Sequence, residues 1–189
     1  RVLARRGNGG FGTVCTCWDT RLQRRVAIKR MPLLGASETP GVLASTVDEA
    51  LSEARTACLL AHPNIVTVHD FEIEGDYAYL VMEFVDGLNL SELLARVEGG
   101  YLTYAEAAHM VSSLAKALHY AHENGVLHLD IKPTNIMIDR QGTVKLADFG
   151  MATLASAAGY GGARGGTVGY MPPEQVEGML VDERADIFS

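Results

Sequence analysis

The spacing of apolar residues changes part-way along this chain, and that change limits the folds open to it. Over about the first seventy residues, short β-rich runs alternate with one helical run. From about Asn89 onward the pattern is mainly helical, with short hairpin-like pieces. Such a switch of period predicts two lobes, a small one over residues 1–85 and a larger one over residues 86–189.

In the first part, the runs Arg1 to Arg6 and Thr13 to Trp18 flank a glycine-rich stretch from Gly7 to Gly12 and are expected to be strands. A third strand is expected at Arg25 to Met31, after the polar turn Asp19 to Arg24. Further strands are expected at Ile65 to Glu72 and Ala78 to Phe84, on either side of the turn-like Glu74, Gly75 and Asp76. Pro32 to Ser45 reads as loop. Thr46, with Glu49 three residues on, then forms a capping box that opens a helix reaching about Leu60. In the second part, Thr103 and Glu106 form another capping box. Ala107, Met110, Val111, Leu114, Ala117, Leu118 and Ala121 recur at helical spacing, and Gly125 is expected to close that helix in the left-handed conformation. The alanine- and glycine-rich stretch from Ala155 to Gly166 is expected to be mobile.

Composition removes several classes of function. The formal charge is -7, so a nucleic-acid partner is not expected, and 48% hydrophobic with 21% charged residues describes a folded globular chain. The three cysteines, Cys15, Cys17 and Cys58, are too few for a disulfide scaffold and suggest a reducing compartment. Cys15, Thr16 and Cys17 look like half a metal knuckle, but a structural zinc site needs about four ligands and Cys58 is distant, so zinc is not expected. No apolar run approaches the roughly 18 residues a spanning helix needs, and no secretory pattern opens the chain. The expected location is cytoplasmic, with any membrane tether outside this sequence. The chain begins at Arg1 without a methionine and stops at Ser189 in a helical-looking run, so it reads as a fragment.

Gly7, Gly9 and Gly12 fall in GNGGFGTV, where missing side chains let backbone amides approach phosphate oxygens. A simple hairpin turn explains this segment equally well on its own. A dinucleotide fingerprint does not, because β-type residues Val14 to Trp18 follow where that motif requires a helix. VAIK, from Val26 to Lys29, adds a lysine inside an apolar strand, where an ammonium calls for an anionic partner. Glu53, on the expected helix, offers one on the protein side.

The segment from His128 to Asn135 places Asp130, Lys132 and Asn135 within a few residues, bracketed by apolar stretches. Asp148, Phe149 and Gly150 follow a strand-like run, so a second carboxylate emerges at a strand end before a glycine hinge. Taken singly, each of these residues has an ordinary structural explanation, such as a turn cap or a core histidine. Taken together they supply the parts of phosphoryl transfer. Asp148 and Asn135 offer oxygen donors suited to Mg²⁺. Lys132 can neutralise charge on the transferred group, and Asp130 can orient a hydroxyl and accept its proton.

GNGGFGTV, VAIK, HLDIKPTN, DFG, GTVGYMPPE and DERADIFS occur in one order over nearly the whole chain. In this the sequence resembles eukaryotic-type serine/threonine protein kinases of the bacterial style. The resemblance implies an α+β, two-lobed protein-kinase-like fold, with a small antiparallel β lobe bearing one helix and a mainly helical large lobe that is incomplete here. It implies transfer of the γ-phosphoryl of ATP, with Mg²⁺, to serine or threonine hydroxyls of protein substrates. By that resemblance, Gly7, Gly9 and Gly12 would cover the phosphates, and Lys29, paired with Glu53, would hold the α- and β-phosphates. Asp130 would be the catalytic base, Lys132 would contact the γ-phosphate, Asn135 and Asp148 would ligate magnesium, and Thr167 would support Asp130 and the acceptor-site loop. Met82 resembles the residue that gates the back pocket. Glu83, Phe84 and Val85 would form the hinge that grips adenine, and Val14, Ala27 and Met137 would sandwich the purine.

Three departures from the family pattern carry expectations. Leu129 stands where many relatives carry an arginine that binds a phosphorylated activation loop, so control by loop phosphorylation is not expected. Thr134 and Asn89 are neutral where relatives that prefer basic substrates carry acids. Asp186 is expected to brace the catalytic loop, whereas Glu174 would lack the arginine that pairs with it from a later helix and is expected to be a weak point; the fragment is expected to be marginal, with apolar surface exposed. A nucleotide-binding pseudokinase and a small-molecule phosphotransferase remain as alternative readings, and pairing with a second copy of the chain stays open.

Overall fold

The computed structural model describes residues 1–9, 12–33, 47–149, 153–154, 167 and 169–189. It divides into two units, Arg1–Cys58 with Thr67–Phe84 and Leu59–Val66 with Val85–Ser189. The loop expected before the first helix lies outside the described residues from position 34 onward. So do Thr46, Gly150 and the stretch from Ala155 to Gly166.

In the first unit, alternating β-branched, apolar and polar residues form five described antiparallel strands in one sheet: β1 (Val2–Gly9), β2 (Gly12–Asp19), β3 (Arg24–Pro32), β4 (Val68–Glu74) and β5 (Tyr77–Glu83), in the order β1-β2-β3-β5-β4. The β2–β3 turn is set by Asp19, whose Oδ1 accepts the amides of Arg21 and Leu22 at 2.9 and 3.1 Å. Helix α1 (Val47–Cys58) packs against β4 and β5. Its Ala54 joins Met31, Leu33, Ala78 and Leu80 in a buried cluster, with Val68, Phe71 and Met82 against it. Each large apolar side chain removed from water there contributes about 1.5–3 kcal/mol.

Two sequence expectations change in this unit. The strands continue into the glycine segment, so Gly7 and Gly9 belong to β1 and Gly9 faces Gly12 in the register. The run Ile65 to Glu72 is not one strand. Ile65 bridges Leu146 and the Val66 amide donates to the Leu146 carbonyl at 2.9 Å, so both residues join the second unit and β4 begins at Val68. Asn64 draws them there, its side-chain amide donating to the Val144 carbonyl at 2.8 Å.

The second unit is organised on helix α3 (Tyr104–Glu123), which packs on β7 (Val126–Leu127) and β9 (Val144–Leu146). Thr103 caps it as a capping box: the Thr103 amide donates to Glu106 Oε2 at 2.8 Å, and the Glu106 amide donates to Thr103 Oγ1 at 3.3 Å. Gly125 follows the helix with φ of +70°, as the left-handed closure requires. Met110, Ser113, Ala117, Leu118 and Ala121 form the buried face. Val111 does not join it and is 65% exposed, because the stripe passes through Met110 and Ser113 instead.

Among the described residues, β6 (Gly87–Asn89), β8 (Ile136–Asp139) and β9 form a small sheet, and β10 (Thr153–Leu154) pairs with β7. Helix α2 (Leu90–Leu94) is short and capped by Asn89. The last elements are α4 (Pro173–Val176) and α5 (Arg184–Phe188). Here the expected apolar exposure is present at Val176, Met179, Leu180, Ile187 and Phe188.

Candidate active site

The loop between β7 and β8 carries the segment that the sequence singled out. Asp130 and Asn135 are buried there, and Lys132 is largely covered. Lys132 Nζ donates to Asp130 Oδ2 and to Thr167 Oγ1, each at 2.7 Å. The Thr167 hydroxyl in turn donates to Asp130 Oδ1 at 2.8 Å. Asn135 Nδ2 donates to the Asp130 carbonyl at 2.9 Å and to Asp130 Oδ2 at 3.2 Å. Both carboxylate oxygens of Asp130 are therefore engaged and its rotamer is fixed. With the amide nitrogen of Asn135 committed to Asp130, its Oδ1 is left as the oxygen donor of that side chain.

The main chain is held just as closely. The Asp130 amide donates to His128 Nδ1 at 3.2 Å, and His128 Nε2 lies 3.1 Å from the Ala147 carbonyl. That pairing puts the ring hydrogen on Nε2, so His128 donates to Ala147. The ring is fully buried and packs against Phe149 with centroids 4.5 Å apart. The Ala147 amide donates to the Asn135 carbonyl at 2.8 Å. Ala147 is thus tied to the loop through both its peptide groups, and Asp148, the next residue, enters beside it with φ of +63°. Aspartate tolerates that left-handed conformation better than most residues.

Beneath the loop, buried Asp186 accepts the amides of His128 and Leu129 at 2.8 and 2.7 Å and bonds His122 Nε2 at 2.8 Å. Burial pushes its carboxyl up, but the His122 contact, the nearby His128 ring and the two backbone amides together outweigh burial and hold it below the ordinary aspartate value. Leu129, the residue in the arginine position, is buried against Leu127, Val181 and Ala185. Its φ is +64° and its carbonyl accepts Gln175 Nε2 at 3.1 Å. Gln175 was not among the residues singled out in the sequence. Glu174, beside it, is half-buried, and Arg184 feels its charge in addition to the dominant hydrogen bonds that it donates to Asp182.

The remaining candidates divide between the units. In the first, Lys29 is 3% exposed on β3, opposite Val14 on β2 and Leu80 on β5. Ala27 faces Met82, and Val26 faces Glu83. Glu83 Oε2 accepts the Thr67 amide at 3.2 Å, and the Glu83 amide donates to the Thr67 carbonyl at 2.8 Å. Gly12 has φ of +148°, and a Cβ there would run into the Arg30 carbonyl oxygen, so only glycine fits that position. Gly7 and Gly9 lie in β1, and Glu53 lies on α1. Val85 and Met137 belong to the second unit, Val85 buried and Met137 on β8.

The model of the protein kinase domain matches residues 1–189, the full length of the chain. This chain belongs to the protein kinase domain family. Among its relatives is the serine/threonine-protein kinase PrkC of Bacillus subtilis, 36% identical over 191 residues, with 100% of this kinase chain and 28% of that protein covered. The serine/threonine-protein kinase PknA of Mycobacterium tuberculosis is 38% identical, covering 96% of this chain and 42% of its own length. PknB of the same organism is 37% identical over 97% of this chain and 29% of its own. The chain thus spans well under half the length of these curated relatives.

Proposed function

We propose that the protein carrying this kinase domain is a serine/threonine protein kinase that moves the γ-phosphoryl of ATP to hydroxyls of protein substrates. The observation that carries this reading is the buried carboxylate of Asp130 held by Lys132, Thr167 and Asn135. A carboxylate so fixed is a base with a set direction. It accepts the hydroxyl proton of the acceptor while the oxygen attacks the γ-phosphorus and the bond from that phosphorus to the β,γ-bridging oxygen breaks, releasing ADP. Lys132, already at its edge, offers positive charge where the transferred group becomes most negative. Thr167 bonds both members of this ion pair, its hydroxyl accepting from Lys132 and donating to Asp130.

Lys29 serves the α- and β-phosphates, with Glu53 as its partner. Gly7, Gly9 and Gly12 let backbone amides close on the phosphates, and Met82, Glu83, Val85, Val14, Ala27 and Met137 serve the adenine. The donor set also fits magnesium. Asn135 Oδ1 and the Asp148 carboxylate are hard oxygen ligands, and Mg²⁺ takes few protein groups beside phosphates and water. Held by Asn135 and Asp148, such an ion would supply charge neutralisation at the phosphates. We place the domain in the cytoplasm. No helix among the described residues is long and apolar enough to cross a membrane.

The test is transfer of label from γ-labelled ATP to a generic protein acceptor by the full-length protein, with phosphoamino-acid analysis of the product. Label on serine or threonine is expected. Asp130→Asn is expected to lower kcat by roughly 10²–10⁴-fold while leaving ATP binding nearly intact. ATP binding without any transfer to protein would instead mark a pseudokinase.

A further inference from the structure

Asp130 is held through its own side chain and also through the residue before it. The dihedrals of Leu129 are fixed by the two peptide planes that flank it, and each plane is anchored, the second at its Asp130 amide by His128 Nδ1 at 3.2 Å and at its carbonyl by Gln175. Asp186 Oδ1 takes the Leu129 amide at 2.7 Å, and Gln175 Nε2 donates to the Leu129 carbonyl at 3.1 Å. Leucine resists the observed φ of +64°, because its Cβ crowds the neighbouring carbonyl, so the turn persists only while its surroundings over-determine it. The carbonyl that Gln175 holds belongs to the peptide ending at the Asp130 nitrogen, and its orientation sets the direction of the Asp130 side chain.

We infer that Gln175 is a positioning residue: its buried side-chain amide locks the left-handed turn at Leu129 and thereby aims Asp130 at the acceptor. This deepens the proposed phosphotransfer and rests on that reading of Asp130. It also gives the segment from Thr167 to Gln175 a second hold on the catalytic loop. Thr167 grips the Asp130 side chain, and Gln175 grips the main chain behind it. Gln175 is 4% exposed, and the Leu129 carbonyl it meets lies in a buried cluster, so no solvent donor stands ready to replace it.

The test uses the full-length protein with Gln175→Glu, which keeps the shape but loses the N–H, in the native and Leu129→Gly backgrounds. Backbone hydrogen exchange over residues 127–131, steady-state kinetics and melting temperature are read for each. In the native background, Gln175→Glu is expected to speed exchange at positions 129 and 130 and to lower kcat about tenfold, with KM for ATP within about twofold. Glycine takes a positive φ without strain, so in the Leu129→Gly background the same substitution is expected to cost less than about threefold. Equal losses in both backgrounds, or unchanged exchange, would overturn the inference in favour of simple packing. If Gln175→Glu does not fold, Gln175→Met, unbranched and uncharged, carries the same comparison. If the wild type phosphorylates no protein, the proposed function fails, while the exchange comparison still decides whether Gln175 holds the turn.

Discussion

Thr167 gives its hydroxyl hydrogen to Asp130 Oδ1 across 2.8 Å, joining residues 37 apart in sequence. The same oxygen of Thr167 accepts from Lys132, so one hydroxyl links an acid and a base that also touch directly at 2.7 Å. Removing it leaves two charged groups each short of a partner.

Thr167→Val, which keeps the shape and loses the hydroxyl, is therefore expected to reduce kcat by about tenfold, equivalent to about 1.4 kcal/mol. Thr167→Ser should retain most of the activity. Steady-state kinetics on the two variants checks this, and full activity in Thr167→Val with a loss in Thr167→Ser would show that the methyl group matters rather than the hydrogen bonds.

Lys29→Met preserves length and apolar stem but removes the ammonium from β3. ATP affinity measured by titration calorimetry is expected to fall at least about tenfold, because the charge that meets the phosphates is lost. Retained affinity would remove Lys29 from the phosphate site.

The depressed carboxyl of Asp186 gives a pH signature. Its folded pKa lies below the unfolded value of about 3.9. Its contribution to stability is thus full above that value and lost as pH falls through the lower folded one. Asp186→Asn should cost roughly 2–3 kcal/mol at pH 7. The gap from wild type in urea unfolding should narrow below about pH 4. A gap of constant size across that range would contradict the assignment.

Gly125→Ala tests a pure backbone effect. The glycine has φ of +70° and nothing lies within 4 Å of a Cβ built there, so the expected cost is about 1 kcal/mol of strain without a clash. Gly12→Ala should cost more, since its Cβ would meet the Arg30 carbonyl oxygen. Melting temperatures of the pair check the order.

Local signals are legible in the sequence itself. The Thr103–Glu106 box, the Gly125 closure and the five strands of the first sheet depend on neighbours a few residues apart or on simple alternation. Long-range partners are not. Ile65 and Val66 look like the start of a strand, yet Leu146 claims them. Val111 fits the helical stripe but faces outward. The motif letters around Asp130 announced an acid, a base and an amide. They did not show that Leu129 turns left-handed or that Gln175, 46 residues away, meets its carbonyl. A polar residue after a proline pair carries no mark of burial. Only the packed loop gives it one.

The assignment of Leu59–Val66 to the second unit also fixes an order of events during synthesis. A ribosome releases Asn64 eighty residues before Val144, the group its side chain bonds. The small sheet of the second unit therefore cannot recruit that early segment until the catalytic loop has been made. An excision at position 85 would yield a polypeptide missing a piece that its own β9 needs, so shortened versions of this domain should be cut ahead of residue 59.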